Sequence, residues 1–293
     1  MPLTNVNNIE LFYDSVGVGP SIVFIHGGYG GASSSVLPRE DGWVDDLKNS
    51  YNVITYDRRS AGRSSYPISD HSIDIFVDDL TALLQKIKIT KFFLIGSSSG
   101  GPVALKYCLR NPEALIGLIL ANTSARLWNH GGRATHLPEL KRRFILLKQL
   151  GPEKTFDLLN LEKESEPFYL LNQDPNPLPP GTHRLFAAQA NQTRKLKDKL
   201  PRDEKIKYFI GELLNLSAYI DADISGSLSG INVPTLVLHG DADTQVPYHL
   251  GMELSAQIKG ARFVTIPGAG HGVMRWPRAV DEIKLFCDQL TGQ

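Results

Sequence analysis

The chain has 293 residues, 42% of them hydrophobic, and its 31 Lys+Arg balance 31 Asp+Glu to a formal net charge of zero. That length and apolar content suffice for one large buried core, with or without an inserted subdomain. The charge balance supplies no field that would gather nucleic acid or an anionic membrane, and no apolar run approaches the roughly 18 residues of a membrane span. The opening Met1-Pro2-Leu3-Thr4-Asn5 lacks the basic-then-apolar order of a secretory leader, and Cys108 and Cys287 are too few for a disulfide framework. A reduced, cytoplasmic protein is expected.

Ile9 to Asp14 alternates like a half-exposed strand and runs into turn residues at Gly17 and Gly19-Pro20. Ser21 to Ile25 is largely apolar, as in a strand covered on both faces, and stops at His26-Gly27-Gly28-Tyr29-Gly30-Gly31, where glycine lets backbone approach a bound group. Tyr51 to Tyr56 reads as the next strand, followed by Asp57-Arg58-Arg59-Ser60-Ala61-Gly62-Arg63-Ser64. From Ile73 to Lys88, the residues Phe76, Leu80, Leu83 and Ile87 share one stripe of an amphipathic helix. Asp74, Asp78 and Asp79 are assigned to or near its wet face, without a catalytic role.

Phe92-Phe93-Leu94-Ile95 is rich in β formers, too short for a helix, and runs directly into Gly96-Ser97-Ser98-Ser99-Gly100-Gly101. Beyond Gly101, proline stands in a first-turn position and Val103, Ala104, Tyr107 and Cys108 recur on one helical face. A strand that turns this sharply into a helix, through glycines two residues either side of a serine, fits the G-x-S-x-G elbow that lifts one hydroxyl above a sheet edge. Ser97 and Ser99 lack glycine at that spacing on both sides, so Ser98 is the expected nucleophile. Its place at a helix start, near free N–H groups and the positive end of the dipole, favours developing negative charge.

Leu115 to Ala121 is another buried strand, ending in Asn122-Thr123-Ser124. From Arg126 to Leu228 no strand is evident; helical stretches at Leu140 to Leu150 and Glu204 to Leu216 alternate with the proline-rich break Pro175-Asn176-Pro177-Leu178-Pro179-Pro180. An insertion this long is expected to be a helical lid over 126–228, splitting a core of residues 1–125 and 229–293. Within it, Arg194, Lys195, Lys197, Lys199 and Arg202 read as a solvated helix face, and Glu162, Glu164 and Glu166 as an exposed acidic run that a substrate amine could also use. The core resumes with the strand Thr235 to Leu238, leading to His239-Gly240-Asp241-Ala242-Asp243-Thr244-Gln245-Val246-Pro247. A helix over Leu250 to Ile258 and the strand Arg262 to Ile266 follow, then Pro267-Gly268-Ala269-Gly270-His271-Gly272 and a closing helix from Arg278 to Leu290.

Strands alternating with helices predict an α/β fold, a mostly parallel sheet covered on both faces, with its site at the carboxyl ends of the strands. His26, Ser98, Asp243 and His271 all lie just past such ends. A serine hydroxyl needs an imidazole base, and the imidazole needs a carboxylate behind it. The order Ser98, Asp243, His271 is the Ser…Asp…His order of the α/β-hydrolase fold. With His26-Gly27-Gly28, the Asp57-to-Ser64 segment, the Gly240-to-Pro247 loop and Gly270-His271, the chain resembles the α/β-hydrolase superfamily from about Ile9 to Leu290.

That resemblance selects Asp243, three residues past Gly240 and a few before Val246-Pro247, as the acid, and leaves Asp241 as a loop-shaping residue. His26 and His239 are expected to be structural. The oxyanion donors implied are the backbone N–H groups of Ser99 and, by resemblance, Gly28. Two departures bear on subfamily. Ser60 stands where many relatives carry glycine, and Tyr29 stands where proline-releasing aminopeptidases carry proline in their HGGPG motif. Those enzymes also place tryptophan beside the nucleophile, unlike Ser97 and Ser99.

The expected activity is hydrolysis of a small-molecule carboxylic ester or lactone through an acyl-enzyme. A proline iminopeptidase-like or carbon–carbon bond hydrolase is the alternative within serine chemistry, and a hydrolase-fold ligand receptor the alternative outside it. Haloalkane dehalogenases and epoxide hydrolases need a carboxylate at the elbow, which Ser98 is not. No metal-ligand spacing and no phosphate-binding glycine loop appears, so no cofactor and no metal is expected.

Overall fold

The computed structural model describes residues 3–28, 42–127, 130–163 and 200–292. Tyr29 to Gly31, Glu164, Glu166, the proline-rich stretch 175–180 and the basic residues from Arg194 to Lys199 lie outside them. The strands are β1 (Leu3–Val6), β2 (Ile9–Val16), β3 (Ser21–Ile25), β4 (Asn52–Tyr56), β5 (Phe92–Ser97), β6 (Leu115–Ala121), β7 (Thr235–Gly240) and β8 (Arg262–Ile266). Among the described residues they form one eight-stranded sheet in the order β1-β2-β4-β3-β5-β6-β7-β8. From β4 to β8 across the sheet all neighbours are parallel, while β2 joins β4, and β1 joins β2, antiparallel. β1 is polar and short, which hides it from a pattern search. It is fixed by a two-residue hairpin turn, Asn7-Asn8, with φ of 48° and 63°, the left-handed pair such turns require.

Side chains on a strand alternate between faces, and here both faces are apolar. Phe93, Ile95, Leu236 and Leu238 join one core with Trp43 and Leu47 of α1 (Trp43–Leu47) and Val280 and Ile283 of α8 (Pro277–Thr291). Phe92, Leu94 and Val237 join the opposite core with Leu80 and Leu83 of α2 (Ile73–Lys86) and Val103 and Ala104 of α3 (Gly100–Arg110). Full burial of each such side chain is worth about 1.5–3 kcal/mol, so the doubly covered strands are the most firmly held part of the chain. α2 starts at Ser72, whose hydroxyl accepts from the N–H of Ile75 at 3.2 Å.

Between β6 and β7 lie α4 (His130–Leu150), α5 (Pro152–Leu158) and α6 (Arg202–Tyr219), and α7 (Tyr248–Gln257) follows β7. α4 begins ten residues before the expected Leu140 because it continues through Pro138, where the missing N–H and ring clash would ordinarily mark a boundary. These three helices of the described residues pack on one another through residues such as Leu147, Phe156, Phe209 and Leu213, continuous with the core above α2 and α3. Where the chain leaves the sheet it passes beside its own return, with an antiparallel bridge between Arg126 and Asp223 and a 3.1 Å bond from the N–H of Ile224 to the carbonyl of Ala125. Glu162 pairs with Lys205, and Arg202 pairs with Asp157 at 2.7 Å, so each has a counter-ion in place.

The polar segment after β4 is clamped from two sides. Asn215 of α6 donates to the carbonyls of Arg59 and Ser60, both at 3.3 Å. Below it, Arg59 holds Asp79 in a fork with bonds of 2.5 and 2.7 Å, and Asn7 of the first turn donates to the same carboxylate at 2.9 Å. This corrects the expectation for Asp79: Asp74 and Asp78 are 58% and 52% exposed, but Asp79 is 2% exposed and faces inward to Arg59. Ser60, which stands where many relatives carry glycine, holds a left-handed and strained backbone at φ 55°, with its hydroxyl on His71 Nε2 at 3.0 Å.

Breaking the buried Arg59–Asp79 pair from one side strands a charge, so Asp79→Ala should lower unfolding free energy by about 3–5 kcal/mol, while Asp74→Ala should stay within about 0.5 kcal/mol. Urea midpoints measure both, and equal effects would remove the distinction. Burial lowers His71 from 6.5 to about 4 and, aided by the charge of Arg58, His26 from 6.5 to about 3. Both rings stay neutral when folded, whereas the unfolded chain takes up protons below pH 6.5, so stability falls as pH drops. The expected slope is about 1.4 kcal/mol per pH unit for each ring, down to about pH 4 for His71 and pH 3 for His26. In His71→Gln the curve of stability against pH should be flatter between 4 and 6.5.

Candidate active site

Ser98 follows the last residue of β5 and is separated from the helix α3 by Ser99 alone, at φ 51°. A non-glycine residue in this region is strained and persists only where its surroundings over-determine it. Here the Ser98 N–H donates to Ala121 O at 2.9 Å, its carbonyl accepts from Thr123 Oγ1 at 2.6 Å, and Gly101 N–H donates to the same carbonyl at 2.9 Å. The flanking glycines are steric necessities. A Cβ on Gly96 would lie 2.6 Å from Ala104 Cβ, and one on Gly100 would lie 2.3 Å from the carbonyl oxygen of Ile25 on β3.

His271 comes from the loop after β8. Its Nε2 lies 2.8 Å from Ser98 Oγ, and its Nδ1 lies 2.9 and 3.2 Å from the two carboxylate oxygens of Asp243, in the loop after β7. Asp243 Oδ1 also accepts the N–H groups of Gln245 and Val246 at 2.8 and 3.1 Å, and Oδ2 accepts from Asn122 Nδ2. Burial pushes the Asp243 carboxyl up, but its contacts with His271 and His239 and the Gln245 N–H outweigh that and hold it below the usual carboxylate range. It is a carboxylate, able to fix the imidazole tautomer and to stabilise the imidazolium.

The rival carboxylate sits differently. Asp241 Oδ1 accepts the N–H of Gly268 at 2.7 Å, tying the acid loop to the histidine loop without reaching the ring of His271. His239 is fully buried, with Nε2 at 2.9 Å from Val246 O and 3.5 Å from Asp243 Oδ2. His26 is buried too, with Nδ1 on Gly27 O at 2.7 Å and Nε2 accepting the Arg58 N–H at 3.2 Å.

The third component is the glycine loop after β3. A Cβ on Gly27 would stand 2.9 Å from Ser98 Cβ, so this backbone lies directly against the hydroxyl-bearing residue. Gly28 is at φ 76°, and its carbonyl accepts from Ser99 Oγ at 2.5 Å and Arg58 Nη2 at 2.7 Å. The side chain of Ser99 is thus engaged with Gly28, and its backbone N–H opens the turn into α3.

Two participants escaped the sequence reading. Asn122, at φ 47° and fully buried, donates to both Asp243 Oδ2 and the Gly270 carbonyl (3.0 Å for the latter), spanning the acid and histidine loops. The available signal was three polar residues, Asn122-Thr123-Ser124, at the carboxyl end of a wholly apolar strand. Arg58, 1% exposed, sits within a segment noted for its pattern alone. Among the described residues no group of three His, Cys, Asp or Glu side chains could hold a metal ion, and no helix is long and apolar enough to cross a membrane.

Known proteins are similar to this chain over most of its length. The family model for the alpha/beta hydrolase fold matches residues 20–276. The AB hydrolase superfamily protein YisY of Bacillus subtilis is 24% identical over 280 residues, covering 90% of each chain. A proline iminopeptidase of Saccharolobus solfataricus is 27% identical over 297 residues, covering 97% of this chain and 90% of its own. A solved thermophilic esterase from Thermogutta terrifontis superposes with a TM-score of 0.69 at 23% identity, over 98% of this chain and 97% of its own. With more than half of its length under that family model, the chain belongs to the alpha/beta hydrolase fold family.

Proposed function

We propose that this protein is a serine hydrolase that cleaves a small-molecule carboxylic ester or lactone through an acyl-enzyme. The observation that carries the reading is the unbroken relay from Ser98 Oγ through both ring nitrogens of His271 to the Asp243 carboxylate, with its hydroxyl on a strained turn against Gly27. Ser98 Oγ attacks the carbonyl carbon and passes its proton to His271 Nε2, while Asp243 stabilises the ring as it becomes cationic. The oxygen that gains the negative charge is met by the backbone N–H groups of Ser99 and Gly28, at the N-terminal end of α3. Collapse breaks the carbon–oxygen bond to the leaving alcohol, which takes the proton back from Nε2. Water then attacks the acyl-Ser98 ester, gives a proton to the same nitrogen, and releases the acid with Ser98 restored.

In this reading residues 126–228 act as a lid on a core of 1–125 and 229–293. The adjacent exit and return at Arg126 and Asp223 support a unit attached at one place. Two buried free thiols, Cys108 and Cys287, suit a reducing cytoplasmic setting. The iminopeptidase relative keeps an amide-cleaving version of the same chemistry in view. Glu162, a possible anchor for a substrate amine, is engaged with Lys205, which favours the ester.

Short p-nitrophenyl esters should be hydrolysed rapidly and a fluorophosphonate should label Ser98. Ser98→Ala should cost on the order of 10⁴-fold or more in kcat. Unchanged turnover in that variant would falsify the nucleophile. Preference for prolyl-p-nitroanilide over esters would move the substrate class to peptides, and labelling without turnover would make the chain a receptor. Asp243→Asn should lose about 10⁴-fold, because the wrong tautomer is then held, whereas Asp241→Asn should lose less than about tenfold. Equal losses would return the choice of acid to both residues.

A further inference from the structure

Arg58 is among the largest fully buried side chains, and its contacts converge on the glycine loop. Nη2 donates to Gly28 O at 2.7 Å and to Ser99 Oγ at 3.3 Å, and Nη1 donates to the hydroxyl of Tyr219 at the end of α6. The guanidinium carbon lies 5.4 Å from the ring centre of Phe76 and 5.6 Å from that of Tyr219, so two aromatic faces hold the charge in place. The backbone N–H of Arg58 donates to His26 Nε2, which leaves Nδ1 as the protonated nitrogen, donating to Gly27 O at 2.7 Å.

A trans peptide sets its N–H opposite its C=O. Anchoring the Gly27 carbonyl on His26 therefore turns the Gly28 N–H away from His26, and anchoring the Gly28 carbonyl on Arg58 and Ser99 holds the next peptide plane. The two peptide planes that meet at Gly28, the first of which carries its N–H, are thus both held through one residue, by the Arg58 backbone on one side and its guanidinium on the other.

We propose that Arg58 is a positioning residue that sets the Gly28 N–H as an oxyanion donor and, through Tyr219, makes that setting depend on where the inserted helix α6 sits. The proposal rests on the serine-hydrolase reading above. An aromatic hydroxyl from the insertion and a carbonyl of the glycine loop share one rigid, planar donor group, which a lysine could not span. Displacement of α6 that withdraws Tyr219 frees the guanidinium to leave Gly28 O, and the donor loses its alignment. The insertion thereby reports its position to the reacting oxygen.

The test uses the full-length protein, p-nitrophenyl butyrate as substrate and an alkyl trifluoromethyl ketone as inhibitor, whose adduct with the nucleophile carries a negative oxygen. Rates are divided by the active-site fraction from end-point fluorophosphonate labelling, so misfolded molecules are not counted. Arg58→Lys should lower kcat about 10–100-fold with KM within about threefold, and weaken the ketone by a similar factor. Tyr219→Phe, which keeps the ring, should shift both quantities the same way by about 3–10-fold, and the double variant should be no worse than Arg58→Lys alone. Ser99→Ala, which removes the second donor to the Gly28 carbonyl, should show the same pattern and serves if Arg58→Lys does not fold. Wild-type kcat per labelled site in these variants, or a loss of kcat with ketone affinity intact, overturns the role of Arg58. Additive losses in the double variant overturn the link to α6. A wild-type protein without Ser98-dependent turnover overturns the hydrolase reading itself, and this proposal with it.

Discussion

Everything at the centre of this molecule depends on the compression of one turn between β5 and α3. Holding Ser98 at φ 51° costs energy, of order 1–3 kcal/mol for a residue of this type. The surroundings leave no slack to release it: β3 presses on Gly100, Thr123 fills the space beside Gly101, and the Ser98 backbone is bonded at both its N–H and its carbonyl. The strain is thus borne by the most firmly packed strands in the sheet. The same squeeze that makes the turn costly brings the hydroxyl against Gly27 and within reach of His271.

Around that turn, the polar groups are arranged in layers with separate duties. Ser98, His271 and Asp243 form the inner line, and Asn122 and His239 surround Asp243 from β6 and β7. Asp241 fastens the loop that carries the acid to the loop that carries the histidine. On the opposite side His26 and Arg58 manage the glycine loop. A buried polar network of this density is costly unless its members find partners, and here the partners come from the carboxyl ends of several parallel strands, where loops converge.

How much of this could be read beforehand followed the range of the interactions. Strands β3 and β6 were legible to the residue, because largely apolar runs bounded by turn residues reflect local physics. The serine, the acid and the histidine could be singled out because each stands in a loop just past such a strand, and the structure brings their side chains within hydrogen-bond distance. What escaped notice depended on distant partners. Asp79 looked solvated because helical periodicity says nothing of Arg59 across the fold, and Asn122 looked like an ordinary strand end until Asp243, 121 residues later, arrived beside it. Arg58 carried no local sign that its guanidinium would reach both a glycine carbonyl and a tyrosine of an inserted helix.

The neck at Arg126 and Asp223 has a consequence for how such a chain can diversify. Since the outgoing and incoming backbones are already side by side, the sheet registers only that two adjacent points are joined, not how much polypeptide joins them. Growth or shrinkage of the intervening stretch leaves strand register and the turn at Ser98 untouched as long as Asn215 and Tyr219 keep their contacts with the segment after β4. Length can therefore vary in the insertion at a rate the sheet does not limit, while the few insertion residues that reach the segment after β4 are held back with it.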